Sequence, residues 1–331
     1  MPEYAACRAF AELLAAARQE RADLYIAHNL AALPIAALAA QYHGTRFAFD
    51  AEDYHRGQAA AESLDHQLAC YLENKYLDKA AYLTAASPLI AQAYKAHYPG
   101  SNPVVINNVF PLSQQPAYRE PTHQENAKPL MPLRLFWFSQ SIGKNRGLED
   151  VVRAVGSLHN PGIEIHLLGL VRDEEKRYFE EYAARAGLEK NQLHFILPVA
   201  PDVLIQVAAA YDIGLALEIP HCANRDICLT NKLFTYVLAG NAVIASNTSA
   251  QGLFMQQYPG VGKLYQSGDT AQLAQLIRSY YENPVFLHND RKEAWLLGRA
   301  QLNWDVERQY FLQVIESVLD PTHQKVAPRI A

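Results

Sequence analysis

Cysteine is scarce in this chain, with four in 331 residues (Cys7, Cys70, Cys222 and Cys228), too few for a disulfide scaffold. They read as reduced thiols. Cys222 and Cys228 lie near His221, a grouping that could suggest a metal, but no C-x2-C pair exists and the segment between them is irregular, so they read as ordinary buried or loop cysteines. Long apolar runs are also missing. No segment approaches the roughly 20 residues that a membrane-spanning helix needs, and the start, Met1-Pro2-Glu3-Tyr4, lacks the basic-then-apolar pattern of a secretory signal. A basic excess is absent too: 29 Lys and Arg stand against 34 Asp and Glu, a net charge of −5. Sequence-independent nucleic-acid binding, which needs a positive face, is therefore not expected. These absences point to the cytoplasm.

Half of the residues are hydrophobic, enough for real cores, and the length suggests two domains. Helical and strand patterns alternate. A helix is expected over 4–21, strands at 23–27, 46–50, 82–86 and 104–106, and helices at 33–42, 61–80 and 88–97. Residues 110–132 are polar and hold five prolines, the composition of a linker. A second alternation follows, with strands at 133–138, 163–168, 193–196, 212–217 and 242–245. Helices are expected at 147–158, 173–186, 201–209, 231–239 and throughout 270–319. Strands separated by helices form βαβ units and parallel sheets. In such sheets ligands bind beyond the carboxyl ends of the strands.

Two strand-to-helix junctions carry unexpected cations. Ser139 to Glu149 holds Gly143, Lys144, Asn145, Arg146 and Gly147, with the glycines permitting a tight turn and Asn145 a candidate cap. Thr230-Asn231-Lys232 opens the second helix. A helix start favours anions, so cations there are locally unfavourable unless an anionic ligand completes the site. Two such junctions suggest a diphosphate held without a metal.

These pieces resemble a known family. Gly143-x-x-Arg146-Gly147-Leu148-Glu149, Gly169 after its strand, Tyr211-Asp212-Ile213-Gly214-Leu215 and Asn231-Lys232-Leu233-Phe234-x-Tyr236-x-x-Ala239-Gly240 look like the carboxyl domain of GT-B glycosyltransferases. The similarity is to the retaining group called family four, or glycosyl transferases group one. In the first half, Ala22 to Asn29, Phe49 to Asp53, Glu73-x-x-Tyr76 with Tyr82 to Ser87, and Val105 to Asn108 are similar more weakly.

The resemblance implies an α/β protein of two Rossmann-like, doubly wound parallel-sheet domains facing across a cleft. The boundaries expected are an acceptor-side domain at 1–109, shortened by its first βα units, a linker at 110–132, a donor-binding domain at 133–303, and a crossover helix and tail at 304–331. It implies a hexosyltransferase-type enzyme of polysaccharide biosynthesis. A nucleotide-diphosphate sugar is the donor substrate, with no cofactor or metal. A glycan or lipid-linked acceptor receives the sugar with retention. Carried over by position, Arg146 and Lys232 hold the diphosphate, and Ser139, Gly143, Gly147, Gly169, Val199, Glu218, Asn231 and Thr235 line the donor. His28 and Glu52, at strand ends of the first domain, bind a sugar hydroxyl or assist proton transfer. The alternatives are a loop-bound imidazole for His28, a helix-capping pair for Glu52 and Asp53, and a solvated His55.

One departure stands out: Thr235 occupies the place of a Glu that, in the family, accepts hydrogen bonds from the donor ribose. With the short first domain, it favours a second reading, a non-catalytic nucleotide-sugar-binding relative within a larger assembly. The opening helix is amphipathic, which allows peripheral attachment at the inner membrane face, although its mixed polar face suits packing on the sheet better.

Overall fold

The structure is a computed structural model that describes residues 2–118 and 132–320. Along the first segment run α1 (Pro2–Ala6), α2 (Phe10–Gln19), β1 (Leu24–His28), α3 (Leu33–His43), β2 (Arg46–Ala51), α4 (Leu64–Tyr76), β3 (Leu83–Ala85), α5 (Pro88–His97) and β4 (Val104–Val105). Next come β5 (Leu133–Ser141), α6 (Leu148–Leu158), β6 (Ile163–Leu170), α7 (Asp173–Ala186), β7 (Leu193–Ile196), α8 (Leu204–Ala208), β8 (Ile213–Ala216) and α9 (Ala223–Ile227). The chain ends with α10 (Asn231–Ala239), β9 (Ala242–Ser246), α11 (Ser249–Gln257), β10 (Gly262–Tyr265), α12 (Thr270–Glu282), α13 (Pro284–Ala300) and α14 (Trp304–Leu319). None of the described helices is long and apolar enough to cross a membrane.

Two compact units form. The first takes residues up to Asn108, Pro220–Leu229 and the chain from Glu307; the second takes Val109–Ile219 and Thr230–Val306. The first unit carries a parallel sheet in the order β1-β2-β3-β4. Phe49, Leu72, Leu83, Ile90 and Tyr94 fill its core, joined by Cys228 from the returning segment. The second unit carries a parallel sheet in the order β10-β9-β8-β5-β6-β7. The chain starts at β5, winds outward to β7, then returns beyond β5 to β8. The winding therefore reverses between β5 and β8, the place where open α/β sheets leave a crevice for ligands.

Several expectations change in detail. The opening helix breaks at residues 7–9, and in its first part Glu3 is buried against α4, where its carboxylate meets Lys75 and the Tyr76 hydroxyl. The helical end is three helices. Asn283 accepts the Phe286 N–H and Pro284 starts α13, whereas Asn303 donates to the Gly298 and Arg299 carbonyls and closes it. Helix α11 and strand β10 went unrecognised in the sequence. Residues 110–118 pack within the second unit, with Trp295 Nε1 donating to the Pro116 carbonyl at 2.9 Å and Gln115 to the Trp295 carbonyl at 2.9 Å. The rest of the proline-rich stretch, 119–131, lies outside the described residues.

Candidate functional site

In the second unit the site assembles around the reversal point. After β5 the chain turns through Gly143 and Asn145 into α6. Gly147, not Asn145, is the residue before that helix, with φ 76° and no side-chain cap. A β-carbon at Gly147 would lie 2.6 Å from the Leu217 Cβ, at the end of β8. Glycine is thus required twice, for the left-handed backbone and for the close approach that brings the β5 and β8 loops together. Gly147→Ala is expected to destabilise the chain by about 1–3 kcal/mol, checked by the midpoint of urea unfolding.

Arg146 is exposed, and its guanidinium is fixed by two hydroxyls. Nη1 donates to Ser139 Oγ at 2.8 Å and Nη2 to Ser141 Oγ at 3.3 Å. No carboxylate pairs with it among the described residues. Lys144, two residues earlier, lies over the Tyr178 ring, 4.1 Å from its centroid. A cavity of about 720 Å³ opens beside them, lined by Ser141, Gly143, Lys144, Arg146, Arg172 and Glu175 among others. That volume suits a ligand of nucleotide size. On its far wall Arg172 Nε donates to Glu175 at 2.6 Å. Gly169 lies near the end of β6, where a β-carbon would come 2.6 Å from the Ser139 carbonyl oxygen.

The second cation behaves differently. Lys232, in the first turn of α10, donates to Glu218 Oε1 at 2.8 Å, and Thr230 Oγ1 donates to the same oxygen at 3.1 Å. Both charged side chains are mostly buried. The Lys232 ammonium also lies 5.6 Å from the Trp137 ring centre. Glu218 thus orients Lys232. An ammonium has three donors, so the pair leaves Lys232 able to reach an anion. Thr230 is the residue before α10, although its side chain caps nothing there, and Asn231 is exposed. Thr235 is fully buried, its hydroxyl unpartnered among the described residues. Val199 sits half-buried in the loop after β7.

In the first unit a polar ladder crosses the carboxyl ends of three strands. His28, Asp50 and Thr84 are register partners on β1, β2 and β3. His28 Nδ1 lies 2.8 Å from Asp50 Oδ2, and Thr84 Oγ1 donates to Asp50 Oδ1 at 2.7 Å. His28 is therefore oriented by a carboxylate, and the exposed Glu52 carboxylate stands within 4.8 Å of both groups. Asp53 caps no helix. It accepts from Asn224 Nδ2 at 2.7 Å and Gln58 Nε2 at 3.0 Å, while Asn224 Oδ1 accepts the Tyr54 N–H at 2.8 Å. Asn224 is buried and was not singled out in the sequence, where 218–226 reads as a loop. The only local signal was its place in the motif-bearing half; its partner lies 171 residues away.

His55 is buried, not solvated, and packs on Phe49 with ring centres 5.9 Å apart. Burial pushes its pKa below the usual 6.5, partly opposed by the Asp53 and Glu73 carboxylates. A folded-state imidazole with a lowered pKa binds fewer protons than the unfolded one. Stability is then complete well above 6.5 and lost as pH falls through that value. The melting temperature is expected to fall on acidification below about pH 6.5, and less steeply in His55→Gln.

Residues 2–108 match the glycosyl transferase 4-like domain. Comparison with curated proteins finds no match. Among solved structures, Anabaena HepE in complex with UDP superposes with a TM-score of 0.73 at 17% identity, covering 93% of this chain and 82% of that one. Sucrose-phosphate synthase from Thermosynechococcus elongatus gives 0.74 at 16% identity, covering 95% and 80%. A trehalose-6-phosphate protein from E. coli, bound with UDP-2-fluoro glucose, gives 0.67 at 12% identity, covering 98% and 78%.

Proposed function

We propose that the chain moves a sugar from a nucleotide-diphosphate donor to a glycan or lipid-linked acceptor, a reading supported by the match of residues 2–108 to the glycosyl transferase 4-like domain and by the GT-B fold. The observation that carries this is the Arg146 guanidinium, held by Ser139 and Ser141 beside a cavity at the carboxyl ends of β5 and β6, with no carboxylate paired to it among the described residues. A fixed cation costs no reorganisation when charge develops. As the bond between sugar and diphosphate breaks, the leaving group gains negative charge. Arg146, Lys232 and the first turns of α6 and α10 stabilise that charge more than they stabilise the intact donor. The chemistry then needs no divalent ion, and the sugar is transferred with retention. His28, aligned by Asp50, and Glu52 are the groups proposed to meet the acceptor hydroxyl.

The uridine nucleotides in HepE and in the E. coli structure make UDP-sugars the first donors to test. Calorimetry with UDP, GDP and ADP, in the presence of a chelator, is expected to give binding for one of them. Donor turnover followed by anomeric proton resonances then reads the stereochemistry. Absence of any nucleotide binding at millimolar concentration removes the reading.

Thr235 favours the alternative, a nucleotide-sugar-binding protein without turnover. Its hydroxyl is buried and unpartnered among the described residues, where the resemblance expects a carboxylate for the ribose. Binding of a donor with neither hydrolysis nor transfer would select it.

A further inference from the structure

Strands β6 and β7 lie at one edge of the second sheet, with β7 outermost. Ile163, Ile165 and Leu167 of β6 point into the core. Side chains alternate along a strand, so Glu164 and His166 share the opposite face. His194 of β7 is the register partner of His166. The two imidazoles stack with centres 4.3 Å apart and planes at 13°. Both direct Nε2 toward one carboxylate oxygen: Glu164 Oε2 is 2.9 Å from His166 and 3.8 Å from His194. An ordinary His–Glu hydrogen bond accounts for His166. It does not account for His194, whose Nε2 is shielded from solvent and makes no hydrogen bond among the described residues.

We propose that Glu164, His166 and His194 bind a divalent d-block cation, zinc foremost, at a site of three protein ligands with a fourth position for water. The distances fit. Zinc lies about 2.0–2.2 Å from imidazole nitrogen and carboxylate oxygen, so tetrahedral ligand atoms stand about 3.3–3.5 Å apart. The two separations, 2.9 and 3.8 Å, straddle that value. Two imidazoles and one carboxylate select zinc-like ions over calcium or magnesium, which prefer all-oxygen sets. The Tyr211 ring, 4.9 Å from His166, covers the site on one side. Arg134, the register partner of Glu164, adds an opposing positive charge, so moderate affinity is expected.

The ligands sit toward the amino ends of their strands, away from the carboxyl-end loops that hold Arg146 and Lys232. The role is structural: the ion ties outer strand β7 to β6 and so steadies the loop that continues to Val199. The site stands whether or not the chain transfers sugar.

The test uses untagged protein stripped with a chelator and titrated calorimetrically with zinc chloride near neutral pH. One equivalent is expected to bind in a manner that Glu164→Gln and His194→Ala each weaken at least about tenfold. His28→Ala, in the separate group of His28, Asp50 and Glu52, is expected to leave that affinity unchanged. Cobalt is expected to give the intense visible absorption of a tetrahedral ion, lost in His194→Ala. The proposal is overturned by an absence of stoichiometric uptake at submillimolar zinc. It is equally overturned if uptake survives both substitutions unchanged, or is lost only in His28→Ala.

Discussion

Arg146→Ala is expected to lower donor turnover about 10²–10³-fold while the protein stays folded. The side chain is exposed, and its two partners are the Ser139 and Ser141 hydroxyls, which water can satisfy when the guanidinium is gone. Surface changes of this kind usually alter stability by less than about 0.5 kcal/mol. The loss then belongs to the reaction. Arg146→Lys discriminates further. A lysine supplies charge but not the planar fork that engages Ser139, Ser141 and a phosphate together. It is expected to recover nucleotide binding more than turnover. The measurement is donor hydrolysis under saturating nucleotide sugar, with nucleotide affinity determined in parallel. Turnover within threefold of wild type in Arg146→Ala would remove the cation from the mechanism.

The second large effect concerns stability. Glu73 on α4 is fully buried in the first unit, and Arg56 Nε donates to it at 2.6 Å. The Tyr94 hydroxyl donates to its other oxygen at 3.0 Å, and burial pushes that hydroxyl's pKa well up, so it stays a donor. The arginine also reaches Asn74 at 3.1 Å and the Tyr98 hydroxyl. Removing one member of a buried pair leaves the other desolvated and uncompensated, at a cost of about 3–5 kcal/mol. Arg56→Ala and Glu73→Ala should each lower the unfolding free energy, read from urea titration, by that amount. The double replacement Arg56→Met with Glu73→Leu should cost much less than the sum. Should the double variant lose as much as both singles together, packing and not charge would be what this pair contributes. The network borders His55 and Asp53, so the variants also test how firmly the segment carrying Glu52 is held.

Much of the scaffold was legible locally. Helix α5 was expected at 88–97 and found at Pro88–His97; α7 was expected at 173–186 and found at Asp173–Ala186; β7 was expected at 193–196 and found at Leu193–Ile196. A clear apolar period marks the two helices, and α5 adds a polar cap. Ser87 before Pro88 accepts the Ile90 N–H at 3.1 Å, a capping pattern readable from four residues. Helix α11 has such a cap, Thr248 accepting the Gln251 N–H at 3.3 Å, but neither it nor strand β10 has a clear apolar period. Met255 and Phe254 are buried in a weakly amphipathic segment, and Gly262 opens the strand against the Val243 backbone.

The site was legible only in part. Two cations at helix starts were visible as violations of the local electrostatic preference, and the structure places one after β5 and the other after β8. That Lys232 carries Glu218 as a partner was not visible. Nor was the burial of His55 and Thr235, or the tie from Asn224 to Asp53.

By itself the sequence determined the alternation of strands and helices, the parallel sheets and the cationic junctions. These follow from the hydrophobic period and the turn residues, which act within a few positions of one another. Tertiary structure alone decided that Pro220–Leu229 returns to the first unit, that α14 crosses from one unit's residues to the other's, and that His194 stands opposite His166. Strand register and segment exchange depend on which distant surfaces bury each other. That balance is struck between residues tens to hundreds of positions apart, and no local pattern encodes it.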